Sequence, residues 1–132
     1  MMDMESLIRA AKEVREKAYS PYSNFKVGAA VITPSGKIYS GCNIENASYG
    51  LTNCAERTAI YKAISEGEHT FVALAVVADT PEPVAPCGAC RQVIAEFGIK
   101  QIILGNIKGH TKILSLEEVL PYAFTKNDFV SS

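Results

Sequence analysis

Apolar positions recur at helical spacing over residues 3–19, where Met4, Leu7, Ile8, Ala11, Val14 and Ala18 alternate with Glu and Lys. That period predicts an amphipathic helix with one face turned to a core. Asp3 is a candidate N-cap. Ser20-Pro21 closes the helix, because proline disfavours helical backbone angles in the residue before it. The period then changes. Residues 25–33 and 37–42 predict two strands, with Val27, Ala29, Val31 and Ile32 apolar in the first and Pro34-Ser35-Gly36 as the turn between them. The small residues Gly28, Ala29 and Ala30 imply that another element packs closely on that strand.

Residues 46–53 are polar and read as loop. Helical spacing returns over 54–66, with Ala55, Thr58, Ala59, Ala63 and Ile64 inward and Gly67 as the stop. Residues 71–78 form an unbroken apolar run, as expected of a central strand covered on both faces. Residues 79–86 hold three prolines and must be loop. A helix is expected over 87–97, with Val93, Ile94 and Phe97 on one side and Gly98 at its end. A short strand follows over 101–104, and 105–112 reads as turn and surface. Ser115 and Glu118 have capping-box spacing at the start of a short helix that Pro121 closes. The tail from Tyr122 mixes aromatic and polar residues. The order helix, hairpin, helix, strand, helix, strand, helix predicts an α/β fold, with helices covering a mixed sheet. No repeat or linker divides the chain, so residues 1–132 are expected to be one domain.

Composition narrows the class. The chain is 48% hydrophobic, enough for a core, and its net charge is −1. A nearly balanced charge carries no electrostatic footprint for nucleic acid, so none is expected as a partner. No apolar run approaches the roughly 20 residues of a membrane span. The first residues show no basic segment followed by an apolar stretch, so no signal peptide is expected. A cytoplasmic location follows as the expectation. There the four cysteines are better suited to metal than to disulfides.

The cysteines carry the chemistry. Cys54-Ala55-Glu56-Arg57 opens one expected helix, and Pro86-Cys87-Gly88-Ala89-Cys90-Arg91-Gln92 opens the other. A catalytic zinc takes three protein ligands and leaves a fourth position for water. Cys54, Cys87 and Cys90 meet that count, and a helix N-terminus favours the anionic thiolate. Glu56, two residues after the first ligand, can face the open position without being a ligand. A Cys-x-x-Cys pair by itself would also fit a redox motif or a structural metal. A closed structural site would need a fourth ligand, and only Cys42, His69 and His110 are spare. Asn43 and Glu45 are two apart, so an extended backbone would put them on one face. There they could bind a pair of sugar hydroxyls, or Asn43 could simply serve a turn.

Taken together, these segments resemble the small, homotetrameric type of cytidine deaminase. The likeness runs from Tyr19-Ser20-Pro21-Tyr22-Ser23 through Phe25-Lys26-Val27-Gly28-Ala29-Ala30 and Gly41-Cys42-Asn43-Ile44-Glu45-Asn46-Ala47 to the two cysteine motifs, and continues weakly at Leu120-Pro121. The metal motif is common to zinc nucleobase deaminases; the Phe25 and Asn43-Ile44-Glu45 segments point to a free nucleoside. The resemblance implies a three-layer α-β-α fold with a five-stranded mixed sheet. It implies one zinc per subunit on Cys54, Cys87 and Cys90, with Glu56 as proton shuttle. It also implies that Asn43 and Glu45 hold the ribose, that Phe25 packs on the nucleoside, and that the backbone of Ala55 holds the pyrimidine carbonyl. Tyr49 and Phe124 match positions that reach a neighbouring subunit's pocket. Arg57 and Arg91 each follow a ligand cysteine. Three thiolates and Zn²⁺ sum to −1, and an arginine donating to a ligand sulfur would offset that charge; Arg57 is the one expected to do so.

The reaction expected is hydrolytic deamination of cytidine and deoxycytidine to the uridines and ammonia, as in pyrimidine salvage. Two other readings stay open on sequence. One is a zinc-stabilised interaction module with a closed four-ligand site. The other keeps the chemistry but takes an antibiotic nucleoside or a base within nucleic acid.

Overall fold

The computed structural model describes residues 4–129. The candidate cap Asp3 lies outside them. Helix α1 (Met4–Arg15) is followed by the hairpin β1 (Val27–Ile32) and β2 (Ile38–Cys42). Helix α2 (Ala55–Ser65), strand β3 (Ala73–Ala78), helix α3 (Gly88–Glu96) and strand β4 (Gln101–Asn106) come next. Strand β5 (Thr111–Ser115) and the short helix α4 (Leu116–Val119) complete the elements, with 3₁₀ turns at Tyr49–Leu51 and Lys126–Phe129.

The five strands lie in the order β2-β1-β3-β4-β5. β3 and β4 run parallel, joined through α3, and the other neighbours are antiparallel. Strand alternation divides the core in two. Ala29, Val31, Leu74, Val76, Ile102 and Leu104 face α2 and α3. Ala30, Ile32, Ala73, Ala75, Val77 and Ile103 face Leu7 and Ala11 of α1. The sheet is therefore the middle of three layers. β3 is buried at every position because helices cover both of its faces.

Two glycines set how closely the helices approach. A Cβ on Gly28 would stand 1.9 Å from the Ala11 carbonyl of α1. A Cβ on Gly41 would stand 2.5 Å from the Ala59 nitrogen of α2. The small residues of β1 thus have the close neighbour that their size implied.

Three boundaries differ from the periodicity. α1 stops at Arg15 rather than at residue 19. Tyr19 is instead extended, exchanging backbone bonds with Asn43 and Glu45 on either side of Ile44. β4 continues to Asn106, and 111–115, part of which reads as turn and surface, pairs with it as a fifth strand. β5 is an edge with its first three residues exposed, so it lacks an apolar signal. The capping box at Ser115 and Glu118 forms in both directions.

Candidate active site

Cys54 and Cys87 are the N-cap residues of α2 and α3, so each helix begins one position later than the expected 54 and 87. Both have extended backbone angles, and neither makes a side-chain cap. Their sulfurs are therefore not spent on capping and stand beside the positive ends of two helices. Cys90 lies in the first turn of α3, fully buried. The three sulfurs all lie within 4.8 Å of one another, and those of Cys54 and Cys87 are 3.7 Å apart. A disulfide needs about 2.05 Å. Tetrahedral zinc with Zn–S bonds of about 2.3 Å would space two sulfurs by roughly 3.8 Å. The donor set and its spacing fit zinc. Among the described residues no fourth ligand joins the cluster: Cys42, His69 and His110 lie outside it.

The charges are arranged for a thiolate. Hydrogen bonding from Cys90 is the first cause that brings the Cys54 thiol down to about 5, helped by Arg57 and Cys87 against its burial. Cys90 moves in the opposite direction, because it holds the proton shared with Cys54 and is itself desolvated. Arg57 Nη2 donates to the Cys54 sulfur at 3.4 Å. Arg91 does not follow the same pattern. Its Nε donates to the Pro86 carbonyl at 2.8 Å and its Nη1 to the Val119 carbonyl at 3.0 Å. From its place on α3 it ties the approach to Cys87 to the end of α4.

Glu56 stands in the first turn of α2 and is 5% exposed. Burial pushes its carboxyl up to about 7, and the neighbouring Cys54 charge adds to the rise. It lines a cavity of about 200 Å³ with Phe25, Val27, Asn43, Thr52, Asn53, Cys54, Ala55, Val76, Val84, Ala85 and Cys87. Asn43 is tied at both ends of its amide: Nδ2 donates to the Phe25 carbonyl and Oδ1 accepts from Val27 N–H, each at 2.8 Å.

Glu45 and Tyr49 face a neighbouring cavity of about 320 Å³, with Tyr22, Ser23, Asn46 and Thr52. Thr52 lines both spaces. The Glu45 carboxylate accepts from the Tyr22 N–H at 2.9 Å, the Ser23 N–H at 3.2 Å and the Ser23 hydroxyl. The bond from the Ser23 hydroxyl chiefly lowers its pKa. Tyr49 is 81% exposed. Phe124 lies apart from both cavities. Its carbonyl accepts from Gln92 Nε2 at 2.5 Å, and its half-exposed ring packs edge-on to Phe129.

Beyond Val27 and Val76 on the strands and Tyr22, Ser23 and Asn46 around Glu45, four further lining residues are not among the expected site residues: Thr52, Asn53, Val84 and Ala85. They sit in segments with no regular period. Only the loops' adjacency to the cysteine motifs could have flagged them.

The Cytidine and deoxycytidylate deaminase zinc-binding region, as a family profile, matches residues 1–106. A cytidine deaminase of Sporosarcina psychrophila is 57% identical over 129 residues, 96% of this chain and 95% of that protein. A cytidine deaminase of Halalkalibacterium halodurans is 56% identical over 129 residues, 96% of this chain and 98% of that protein. The crystal structure of cytidine deaminase from Burkholderia pseudomallei superposes with a TM-score of 0.89 at 54% identity, covering 93% of this chain and all of that one. The chain belongs to the cytidine and deoxycytidylate deaminase family.

Proposed function

We propose that this protein deaminates free cytidine and deoxycytidine by hydrolysis, releasing ammonia. The observation that carries the reading is the placement of Glu56. A buried carboxyl with a pKa near 7 shares a cavity with two of the three clustered cysteines. When bound by Cys54, Cys87 and Cys90, one zinc per chain supplies a water of lowered pKa as the nucleophile.

The chain's own residues do the rest. Glu56 takes a proton from the attacking water and passes it to the ring nitrogen as the oxygen bonds to C4; it then takes the remaining proton of that oxygen and gives it to the amine, whose C4–N bond breaks as the C4 carbonyl forms. A pKa near neutrality suits both directions of transfer. Phe25, on the cavity wall, packs on the nucleoside. The Ala55 N–H, in the first turn of α2, lacks a helical acceptor and holds the pyrimidine carbonyl. Asn43 and Glu45 hold the ribose. Their bonds to residues 22, 23, 25 and 27 fix their orientation. Arg57 offsets the negative charge of the thiolates through its bond to Cys54.

Tyr49 and Phe124 are exposed on the single chain. In this reading the protein is a homotetramer, and both residues complete a neighbouring subunit's pocket. The setting is cytoplasmic pyrimidine salvage; among the described residues no helix is long and apolar enough to cross a membrane.

The test is the loss of cytidine absorbance on conversion to uridine, with zinc measured on the same sample. Wild type should turn over with one zinc per chain. Glu56→Gln should keep the zinc and lose roughly 10²–10⁴-fold in rate. Equal rates in the two would remove Glu56 from the mechanism.

A further inference from the structure

Asn106 ends β4 and is 4% exposed, and no step above uses it. Its side chain has every hydrogen-bonding position filled. Oδ1 accepts from Lys108 N–H at 3.1 Å and His110 N–H at 2.9 Å, closing the β4–β5 turn. Nδ2 donates to the carbonyls of Thr80 at 2.9 Å and Pro81 at 3.1 Å. His110 Nδ1 lies 3.5 Å from the same Nδ2.

The two halves of the amide do different things. The oxygen serves a local turn. The nitrogen reaches back 26 and 25 residues, to the start of the irregular segment 79–86. That segment ends in Val84 and Ala85, which wall the cavity beside Glu56, and in Pro86, which precedes Cys87. It contains no helix or strand of its own. At its far end the Pro86 carbonyl is held by Arg91. Two side chains therefore anchor the segment at its two ends. Asn106 is buried but Thr80 is half-buried and Pro81 exposed, so without the amide donor their carbonyls turn to water and the chain path is released.

We propose that Asn106 is a positioning residue for the nucleoside: by holding Thr80 and Pro81 it sets where Val84 and Ala85 stand. The inference rests on the deaminase reading, and its test separates the two.

Asn106→Asp keeps an oxygen for Lys108 and His110 but turns a second oxygen toward two carbonyls. Asn106→Ser keeps a polar group too short to reach them, and serves if the aspartate variant does not fold. Two quantities are read: hydrogen exchange at the amides of Asp79, Thr80, Glu82, Val84 and Ala85, since Pro81 and Pro83 carry none, and KM and kcat for cytidine. The expected result is roughly tenfold faster exchange in that segment. KM should rise roughly tenfold while kcat stays within about twofold, since α2 is untouched. A residue serving only the β4–β5 turn would leave KM unmoved in Asn106→Asp. Wild-type exchange, unchanged KM, or losses confined to kcat overturn the proposal. Failure of wild type to turn over cytidine would sink the deaminase reading, while exchange alone would still decide whether Asn106 holds the segment.

Discussion

The side-chain amide of Asn43 donates to the backbone carbonyl of Phe25 at 2.8 Å, and through its oxygen also holds Val27. One residue thus fixes the start of β1 and the placement of an aromatic on the cavity wall. Asn43→Ala should cost about 1–2 kcal/mol, because two part-buried backbone groups lose their partner. Urea unfolding measures it. A variant as stable as wild type, but defective in binding, would leave Asn43 with the ribose alone.

Gly41 and Gly36 separate close approach from backbone conformation. Gly41→Ala meets backbone atoms of Thr58 and Ala59 at 2.8 and 2.5 Å, and must push α2 away. Its zinc content and stability should fall together, since α2 presents Cys54. Gly36→Ala meets nothing within 4 Å but sits at φ +93°. It should cost about 1–2 kcal/mol with zinc unchanged. Metal analysis beside thermal melts tells the two apart.

The two arginines that follow ligand cysteines should fail differently. Arg57→Ala removes the donor to the Cys54 sulfur and should shift the pH dependence of kcat toward higher pH, as the site becomes more negative. Arg91→Ala removes two bonds to carbonyls and should lower stability by about 2–4 kcal/mol with an unshifted pH profile. Matching profiles in the two variants would contradict the separation.

Glu45 has its carboxyl lowered below the usual 4.5, first by the Ser23 hydroxyl and further by the N–H groups of Tyr22 and Ser23. A depressed folded value means the stabilisation is complete above the unfolded value and fades as pH falls through the folded one. Wild type should therefore exceed Glu45→Gln in stability by a constant margin above pH 6, and the margin should close below about pH 4.5. Paired urea titrations across that range check it. A margin that widens with acid would refute the assignment.

The chain by itself determined the element types, most of the sheet and the three cysteines that cluster. Helical and strand periods are written locally, because one face of each element must be apolar to reach the core. The cysteine motifs are equally local: Cys87 and Cys90 are three apart, and each cysteine-bearing segment opens a helix. Tertiary structure decided what depends on neighbours remote in sequence. β5 is an exposed edge, and only its pairing with β4 makes it a strand. Tyr19 left its helix because Asn43 and Glu45 offered backbone partners. Arg57 and Arg91 are alike in sequence, yet one reaches a sulfur and the other two carbonyls, because α2 and α3 face different surroundings. Asn106 shows the same limit: its partners lie about 25 residues away, and no local period records which carbonyls a buried amide will meet.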